Sequence, residues 1–323
     1  FTGAGQRVAV VGSGSSAIQI VPALQSAAAQ VLQFQRTPTW VLPKNNRQLP
    51  PDEIELMRTS APERQRRQQE SLAEEEQNWA AIFLALDEAK ADEYQQVAKE
   101  YLMESVSDPA LQAALLPTHR IGCKRPLVSD TYYASLNAPN VTLIPQGVFA
   151  MNERGVVAAD GTEYPVDAVV LATGFYFGGH ILHQVHRRDG QTVASYQAGR
   201  PRAYKAISTA ECPNLFLVGG AAPNGQIWNG LFPGQAAATY IAGALDPMHE
   251  RGIVALEVTD DAERRWKDEA DELLDQGPTV RGGCVNYSQD EQGRNKAAWP
   301  GSLASMRQTY QVFNPTDYVE VSG

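Results

Sequence analysis

Positive charge and long apolar runs are what this sequence lacks most clearly. Its 27 basic residues are outnumbered by 37 acidic ones, which gives a formal net charge of −10 at pH 7. A surplus of acid disfavours general binding to nucleic acids or to anionic membranes. No apolar run approaches the roughly 18 residues needed to cross a bilayer, although 43% of the residues are hydrophobic. We therefore expect a globular chain without a nucleic-acid partner and without a membrane span.

Cysteine is scarce as well. The three cysteines, Cys123, Cys212 and Cys284, are odd in number and far apart in the chain. A disulfide framework or a structural zinc site needs more cysteines at closer spacing. We therefore predict reduced thiols in a cytoplasmic protein, and we predict no metal site.

An initiator methionine and a signal peptide are also missing. The sequence begins at Phe1, and a strand-like run starts already at Arg7. We therefore expect a piece of a longer protein, or a chain that works together with a second chain.

What the sequence does contain is a strand, a glycine turn, a helix and a second strand near its start. The runs "RVAVV" (7–11) and "QVLQF" (30–34) are short and apolar, as buried parallel strands are. Between them lie "GSGSSA" (12–17) and a helical spacing of apolar residues from Ile18 to Leu24. This order is that of a dinucleotide-binding βαβ unit.

The turn carries the pattern G-x-G-x-x-A at Gly12, Gly14 and Ala17. In such a motif the first glycine permits a tight turn and the second lets the backbone approach a pyrophosphate. The third small residue keeps the helix close to the strand. The N-terminus of the helix then offers N–H donors and positive dipole charge to an anion. The motif therefore predicts nucleotide binding.

Acidic residues are absent at the place that distinguishes NAD from NADP. An NAD site uses an Asp or Glu at the end of the second strand to bind the ribose 2′-hydroxyl. Here "FQRTP" places Arg36 and Thr37 at that point, and no acid occurs from Phe34 to Gln48. An arginine suits the 2′-phosphate of NADP through charge-assisted hydrogen bonds. NADP(H) is therefore the predicted cofactor.

Two adjacent cations in "GCKRPLVSD" (122–130) suggest a further anion-binding element. A 2′-phosphate carries nearly two negative charges, more than Arg36 alone balances, so Lys124 is a plausible second cation for it. We then expect Arg125 to meet a different anion.

The rest of the chain alternates helical and strand-like segments. An α/β fold is predicted: a Rossmann-like dinucleotide-binding domain at 1–170 with a helical insertion at about 50–117, and a C-terminal region at 171–323. Further elements are expected as strands at 140–144, 168–172 and 214–220, a hairpin turn at "ADG" (159–161) and an acidic helix at 260–274.

Six stretches together resemble the Baeyer–Villiger monooxygenases, the class B flavoprotein monooxygenases. In order through nearly the whole chain they are "GSGSSAIQIVPAL", "FQRTPTWVLP", "GCKRPLVSDTYYASLNAPNVTLI", "DAVVLATGF", "PNLFLVGG" and "GRNKAAWPGS". The resemblance implies one dinucleotide-binding domain for FAD and a second one for NADPH. It also implies the reaction, in which one oxygen of O₂ is inserted beside a ketone carbonyl to give an ester or lactone.

The resemblance implies a role for each candidate site residue. Arg125 matches the family's active-site arginine, a fixed guanidinium that stabilises negative charge developing during the reaction. The residues expected to hold the 2′-phosphate are Arg36, Thr37 and Lys124. Those expected to contact the NADP pyrophosphate are Gly12, Ser13, Gly14, Ser15 and Ser16.

The sequence also departs from the family pattern. The family's FAD-binding glycine motif lies upstream of the NADP motif, and this sequence starts after that position. We therefore expect the FAD-binding domain in the same longer chain or on a separate subunit, with the C-terminal region packing on it. Tyr287 stands where many members have a tryptophan near the nicotinamide, and an unusual "AAPNGQ" follows Gly219 and Gly220.

Two other functions remain open from the sequence. An N- or S-oxidising flavin monooxygenase uses the same cofactors but attacks a heteroatom, and "CKRP" favours the Baeyer–Villiger reaction over it. A non-catalytic NADP-binding protein, descended from such an enzyme after loss of its FAD half, is the alternative from another class.

Overall fold

The chain divides into two compact units. The computed structural model describes residues 1–84, 87–175, 180–201, 203–218, 231–297 and 299–322. The first unit comprises Phe1–Leu56 and Asp92–Phe175, and the second comprises Met57–Ala91 and Tyr176–Gly323. Part of the helical insertion, 57–91, is thus grouped with the C-terminal region. The domain boundary at residue 170 stays a prediction.

A parallel four-stranded sheet forms the centre of the first unit. Its strands follow the order β5-β2-β1-β9: β1 is Arg7–Val11, β2 is Gln30–Phe34, β5 is Val141–Ile144 and β9 is Ala168–Leu171. Strand β1 pairs in parallel with β2 on one side and with β9 on the other. The strands predicted from the apolar runs are therefore confirmed, and so is the α/β fold class.

Both faces of this sheet are covered, which explains why its strands are apolar without alternation. Val8 and Val10 pack on one face against helices α1 (Ala17–Gln25) and α6 (Tyr132–Leu136). Ala9, between them, points to the opposite face and packs in a separate cluster. Successive residues of a strand point to opposite sides, so a strand buried twice needs apolar residues at every position.

The opposite face is covered by a three-stranded antiparallel sheet. Its strands are β6 (Val148–Asn152), β7 (Gly155–Ala158) and β8 (Glu163–Pro165), in that order. The hairpin turn predicted at "ADG" joins β7 to β8, with Gly161 at φ +87°. The hairpin is thus confirmed, whereas β6 was not predicted.

A short parallel ladder joins β3 (Val41–Leu42) to β4 (Leu127–Val128). Each strand has two residues, too few for an apolar pattern to stand out in the sequence. The ladder matters because it pairs the segment that follows Arg36 with the segment that follows Arg125.

The predicted insertion is mainly helical over its described residues. Its helices are α2 (Pro51–Thr59), α3 (Ala61–Phe83), α4 (Glu88–Ser105) and α5 (Pro109–Leu115). Ser60 and Asp108 cap α3 and α5 by accepting hydrogen bonds from the backbone N–H groups of Glu63 and Ala110. A proline lies in the first turn of each of these two helices, where its missing N–H costs nothing.

Besides α3, the described part of the second unit has its own elements and core from residue 180 onward. They are a 3₁₀ turn at His180–His183, α7 (Val193–Gln197), α8 (Leu231–Arg251), β10 (Ile253–Val258), α9 (Asp260–Leu274), α10 (Pro278–Arg281), α11 (Leu303–Tyr310), a 3₁₀ turn at Pro315–Asp317 and β11 (Tyr318–Ser322). The acidic helix predicted at 260–274 is confirmed as α9. Strands β10 and β11 pair antiparallel. No helix of the described residues combines the length and apolar character needed to cross a membrane.

The predicted strand at 214–220 is wrong over its described residues, 214–218. The N–H of Asn214 donates to Leu256 O and that of Leu217 donates to Ile207 O. Leu256 lies in β10 and Ile207 lies in a loop, so residues 214–218 do not pair with one strand and form no ladder. Gly219 and Gly220 lie outside the described residues.

The prediction of reduced thiols is correct at one cysteine only. Cys212 is a buried free thiol. Cys123 and Cys284 are disulfide-bonded, so the prediction was wrong for these two.

Candidate dinucleotide-binding site

The glycine turn after β1 has a geometry that requires glycine at its first position. Gly12 has φ +132°, a conformation that side chains disfavour. A Cβ at this position would lie 2.2 Å from the carbonyl oxygen of Ala172, just after β9. The N–H of Gly12 donates to Phe34 O at 3.0 Å. The ends of three neighbouring strands therefore meet around this residue because it has no side chain.

The second glycine faces open space. A Cβ built on Gly14 would meet no other atom within 4 Å. Gly14, Ser15 and Ser16 are exposed, while Ala17 at the start of α1 is fully buried against the sheet. The first N–H groups of a helix have no intrahelical acceptor. An exposed turn leading into a helix N-terminus therefore fits a pyrophosphate.

The turn is tied to the segment that follows β2. The hydroxyl of Ser13 donates to the carbonyl oxygen of Thr37 at 2.8 Å. The N–H of Gln35 donates to Ile144 O at 2.9 Å, so the main sheet ends immediately before the exposed Arg36. These residues lie at the carboxyl edge of the parallel strands, where ligands bind in open α/β sheets.

The β3–β4 ladder brings the "CKRP" segment to this edge. Leu127 N–H donates to Trp40 O at 2.8 Å, and Ser129 N–H donates to Leu42 O at 3.0 Å. These bonds join two parts of the chain that are about 90 residues apart, by the same backbone pairing that holds any parallel sheet together. Arg36 lies five residues before the first residue of β3, and Lys124 lies three residues before that of β4.

The charge of Arg36 acts on Lys124. The pKa of Lys124 is lowered from its ordinary value, mainly because the side chain is half-buried and further because of the charge on Arg36. Two like charges held near each other favour an anion between them. A phosphate dianion would relieve the repulsion and accept charge-assisted hydrogen bonds from both side chains.

Asp130 anchors the segment after β3, a role that the sequence did not reveal. Its carboxylate accepts backbone N–H groups from Lys44 at 2.7 Å, Asn45 at 3.0 Å and Asn46 at 2.9 Å. These hydrogen bonds, that of Asn46 first, hold the pKa of Asp130 below its ordinary value. The carboxylate thus fixes the loop beyond β3 to the residues just beyond β4.

Two buried polar side chains, those of Gln33 and Tyr132, are hydrogen-bonded to each other and to the glycine turn. Gln33 in β2 donates from Nε2 to the carbonyl oxygen of Gly12 at 3.1 Å, and its Oε1 accepts from the hydroxyl of Tyr132 at 3.1 Å. Both side chains are buried. A glutamine in the middle of the apolar run "QVLQF" was the available signal, because buried amides are retained where they are hydrogen-bonded.

His119 lies close to Lys124. The indole Nε1 of Trp40 donates to the carbonyl oxygen of His119 at 2.8 Å. The imidazole is only 5% exposed. Burial, followed by the charge of Lys124, lowers the pKa of His119 to about 4. His119 had no sequence signal, because it forms part of no motif.

The structure thus gathers most of the predicted site residues at one edge of the sheet. The glycine turn, Thr37, Arg36 and Lys124 are linked by the contacts above, although their binding roles remain predictions. Arg125 is exposed beside Lys124, and its catalytic role also stays a prediction. Tyr287 lies in the second unit and is 48% exposed.

Comparison with known proteins agrees with the resemblance inferred from the motifs. No protein-family model matches the chain. A Baeyer-Villiger monooxygenase of Streptomyces coelicolor is 35% identical over 324 residues, covering 97% of this chain and 62% of that protein. One of Pseudomonas aeruginosa is 32% identical over 328 residues, covering 97% and 60%. The chain therefore spans about three fifths of the length of these curated relatives.

Solved structures share the fold. Oxidised steroid monooxygenase bound to NADP superposes with a TM-score of 0.82 at 24% identity, covering 100% of this chain and 68% of that one. This level of identity supports the fold alone. With the two sequence matches, it bears out the resemblance inferred from the motifs: the chain is similar to the Baeyer–Villiger monooxygenases along nearly its whole length.

Proposed function

We propose that this chain supplies the NADPH site and the active-site arginine of a Baeyer–Villiger-type monooxygenase dependent on NADPH and FAD. The observation that carries the proposal is the exposed glycine turn at the carboxyl edge of the sheet, to which the β3–β4 ladder brings the segments of Arg36 and Lys124. That arrangement fits a dinucleotide with an additional phosphate. The relatives named above are the basis for the proposed class of reaction.

The dinucleotide is bound by two groups of residues in this proposal. Gly12, Ser13, Gly14, Ser15 and Ser16 lie along the pyrophosphate, with Gly14 leaving room for close approach of the backbone. Arg36, Thr37 and Lys124 hold the 2′-phosphate. The carboxylate of an NAD-type site would repel that phosphate, and no acid stands between Phe34 and Gln48.

Arg125 is the proposed catalytic residue. Its guanidinium presents several N–H donors in a fixed plane. It would stabilise negative charge that develops while oxygen is inserted beside the ketone carbonyl, as preorganised donors do. Neutralising such a donor typically slows a reaction by about 10²–10³-fold.

FAD supplies the activation of O₂ when it is bound. We place its binding domain in the same longer chain or on a separate subunit, with the C-terminal region packing on it. Support comes from the share of the relatives that this chain spans, about three fifths. Among structures with this fold, the OTEMO complex holds both FAD and NADP, with a TM-score of 0.82 at 20% identity over 99% of this chain and 67% of that one. A cytoplasmic location is part of the same proposal.

The experiment combines the purified chain with FAD and NADPH. A flavin absorbance spectrum that is retained by the protein and bleaches on addition of NADPH supports a working flavoprotein unit. Ester or lactone formation from a ketone panel, lost in Arg125→Ala while bleaching persists, supports the oxygen-insertion step. Oxidation of amines or sulfides without ketone turnover would instead favour the N- or S-oxidising alternative. NADP binding without flavin retention or turnover, even with an added FAD domain, would favour the non-catalytic alternative.

A further inference from the structure

Two polar side chains lie in the apolar core between the main sheet and its helices. Gln33 is in β2, an inner strand of the sheet, and Tyr132 is the first residue of α6, which covers that face. Neither residue is more than 2% exposed. Val10, which pairs with Gln33 in the sheet, and Val31 belong to the same core. Apolar residues would fill this space without the cost of burying polar groups. Packing alone therefore gives no reason for the polar pair.

The hydrogen bonds of the pair end at the glycine turn. The hydroxyl of Tyr132 donates to Oε1 of Gln33 at 3.1 Å, and Nε2 of Gln33 donates to the carbonyl oxygen of Gly12 at 3.1 Å. The peptide bond between Gly12 and Ser13 is trans, so its N–H and its C=O point in opposite directions. Because Gln33 holds this carbonyl on the side of the core, the N–H of Ser13 is directed away from the core.

Tyr132 also belongs to the segment that carries Lys124, eight residues before it. The N–H of Tyr132 donates to Oγ of Ser129 at 3.1 Å. The N–H of Ser129 in turn donates to the carbonyl oxygen of Leu42, across the β3–β4 ladder. A continuous series of hydrogen bonds therefore connects the glycine turn with the segment of Lys124.

A second hydrogen bond connects the turn with the segment of Arg36. It is the one from the hydroxyl of Ser13 to the carbonyl oxygen of Thr37, at 2.8 Å. We propose that Gln33 and Tyr132 are positioning residues for NADP. Their hydrogen bonds set where the turn that receives the pyrophosphate lies relative to the cations that receive the 2′-phosphate. Neither side chain touches the ligand, and the inference rests on the proposed NADP site.

The two ends of that site depend on the pair to different degrees. The segment of Lys124 is also held by the β3–β4 ladder and by Asp130, whose carboxylate accepts three backbone N–H groups. The carbonyl oxygen of Gly12 receives a hydrogen bond from Gln33 and from no other described residue. Loss of the pair should therefore disturb the pyrophosphate end of the site and leave the 2′-phosphate end in place.

The test is calorimetric titration of the parent chain and of Tyr132→Phe with two ligands. One is NADP, and the other is adenosine 2′-monophosphate, which carries the 2′-phosphate but no pyrophosphate. Tyr132→Phe removes a single hydroxyl group and leaves Oε1 of Gln33 without its donor. It should weaken NADP binding about three- to tenfold, the range that corresponds to one net hydrogen bond. The affinity for adenosine 2′-monophosphate should stay unchanged, whereas a general loss of structure would lower both affinities.

Tyr133→Phe is the matched control. Tyr133 is the next residue of α6 and is as deeply buried, but Gln33 accepts its hydrogen bond from Tyr132. The control should leave both affinities unchanged. Gln33→Met keeps the length of the side chain and removes both hydrogen bonds, so it should weaken NADP binding at least as much as Tyr132→Phe. Thermal unfolding shows whether each variant is folded, and Gln33→Met keeps the test valid if Tyr132→Phe is not.

The parent chain separates failure of this inference from failure of the proposed function. Unchanged NADP affinity in Tyr132→Phe and Gln33→Met, or an equal loss of affinity for both ligands, would overturn the inference alone if the parent prefers NADP to NAD. A parent chain that binds NADP no more tightly than NAD would overturn the proposed NADP site, and the inference with it.

Discussion

At the scale of single residues, the two glycines of the turn serve different purposes. Gly12 is required by the fold, because its backbone is strained for other residues and its missing side chain makes room for Ala172. Gly14 has neither constraint, since its surroundings are open. The missing side chain of Gly14 therefore matters only for the close approach of a ligand to the backbone.

The pair of alanine variants tests this distinction. Gly12→Ala should lower the free energy of unfolding by about 1–3 kcal/mol or more, because backbone strain is joined by a steric clash. Gly14→Ala should keep the stability of the parent chain and weaken NADP binding. Chemical denaturation and calorimetry measure the two effects. Equal stability of both variants would contradict the account of Gly12, and unchanged NADP affinity in Gly14→Ala would contradict that of Gly14.

His119 gives a prediction about pH. Its pKa is about 4 in the folded chain against an ordinary value of 6.5, so the unfolded chain binds the proton more readily between these values. Stability from the neutral ring is therefore fully present above about pH 6.5 and is lost as the pH falls toward 4. His119→Gln should flatten this part of the pH profile of unfolding. An imidazole that titrates near pH 6.5 in NMR spectra of the folded chain would contradict the prediction.

At the scale of elements, the site depends on the shortest ladder in the first unit. Strands β3 and β4 have two residues each, yet they pair the segments that carry Arg36 and Lys124. Asp130 reinforces this pairing by accepting three backbone N–H groups from residues 44–46. Such a carboxylate acts as a fixed support for two loops rather than as a ligand group.

Asp130→Asn should therefore weaken NADP binding several-fold, although the side chain is outside the proposed phosphate site. An amide retains one acceptor oxygen but places N–H donors where backbone donors already point. Because the folded pKa of Asp130 is lowered, its contribution to stability is present above the ordinary carboxyl range and is lost as the pH falls through the lower folded value. The variant should lose this acid-dependent part of its stability. An unchanged NADP affinity in calorimetry would argue against a supporting role.

The same elements show which parts of the structure could be predicted from the sequence. Apolar runs and the glycine motif predicted β1, β2, β9 and α1 because burial on both faces leaves a strong local pattern. The ladder of β3 and β4, the anchoring by Asp130 and the burial of His119 depend on residues about 80–90 positions apart. No local pattern encodes such contacts. The strand predicted at 214–220 failed for the related reason that an apolar run does not specify its partner.

At the scale of the whole molecule, the charge distribution is the feature that the proposed function must explain. The chain carries a net charge of −10, yet Arg36 and Lys124 lie close enough for one to lower the pKa of the other. Within an acidic protein, such a concentration of positive charge attracts anions locally without making the surface as a whole bind polyanions.

The central claim, that Arg36 and Lys124 recognise the 2′-phosphate of NADP, is tested most directly by titrating NADP and NAD into four proteins. They are the parent chain, Arg36→Gln, Lys124→Gln and the control Lys44→Gln, which removes an exposed charge from the neighbouring loop. The parent chain and the control should prefer NADP. Each of the other two substitutions should weaken NADP binding about 10–100-fold, in line with roughly 1.5–3 kcal/mol per charged hydrogen bond, and leave NAD binding unchanged. Equal affinity of the parent chain for NADP and NAD, or equal loss of both in Lys124→Gln, would contradict the account.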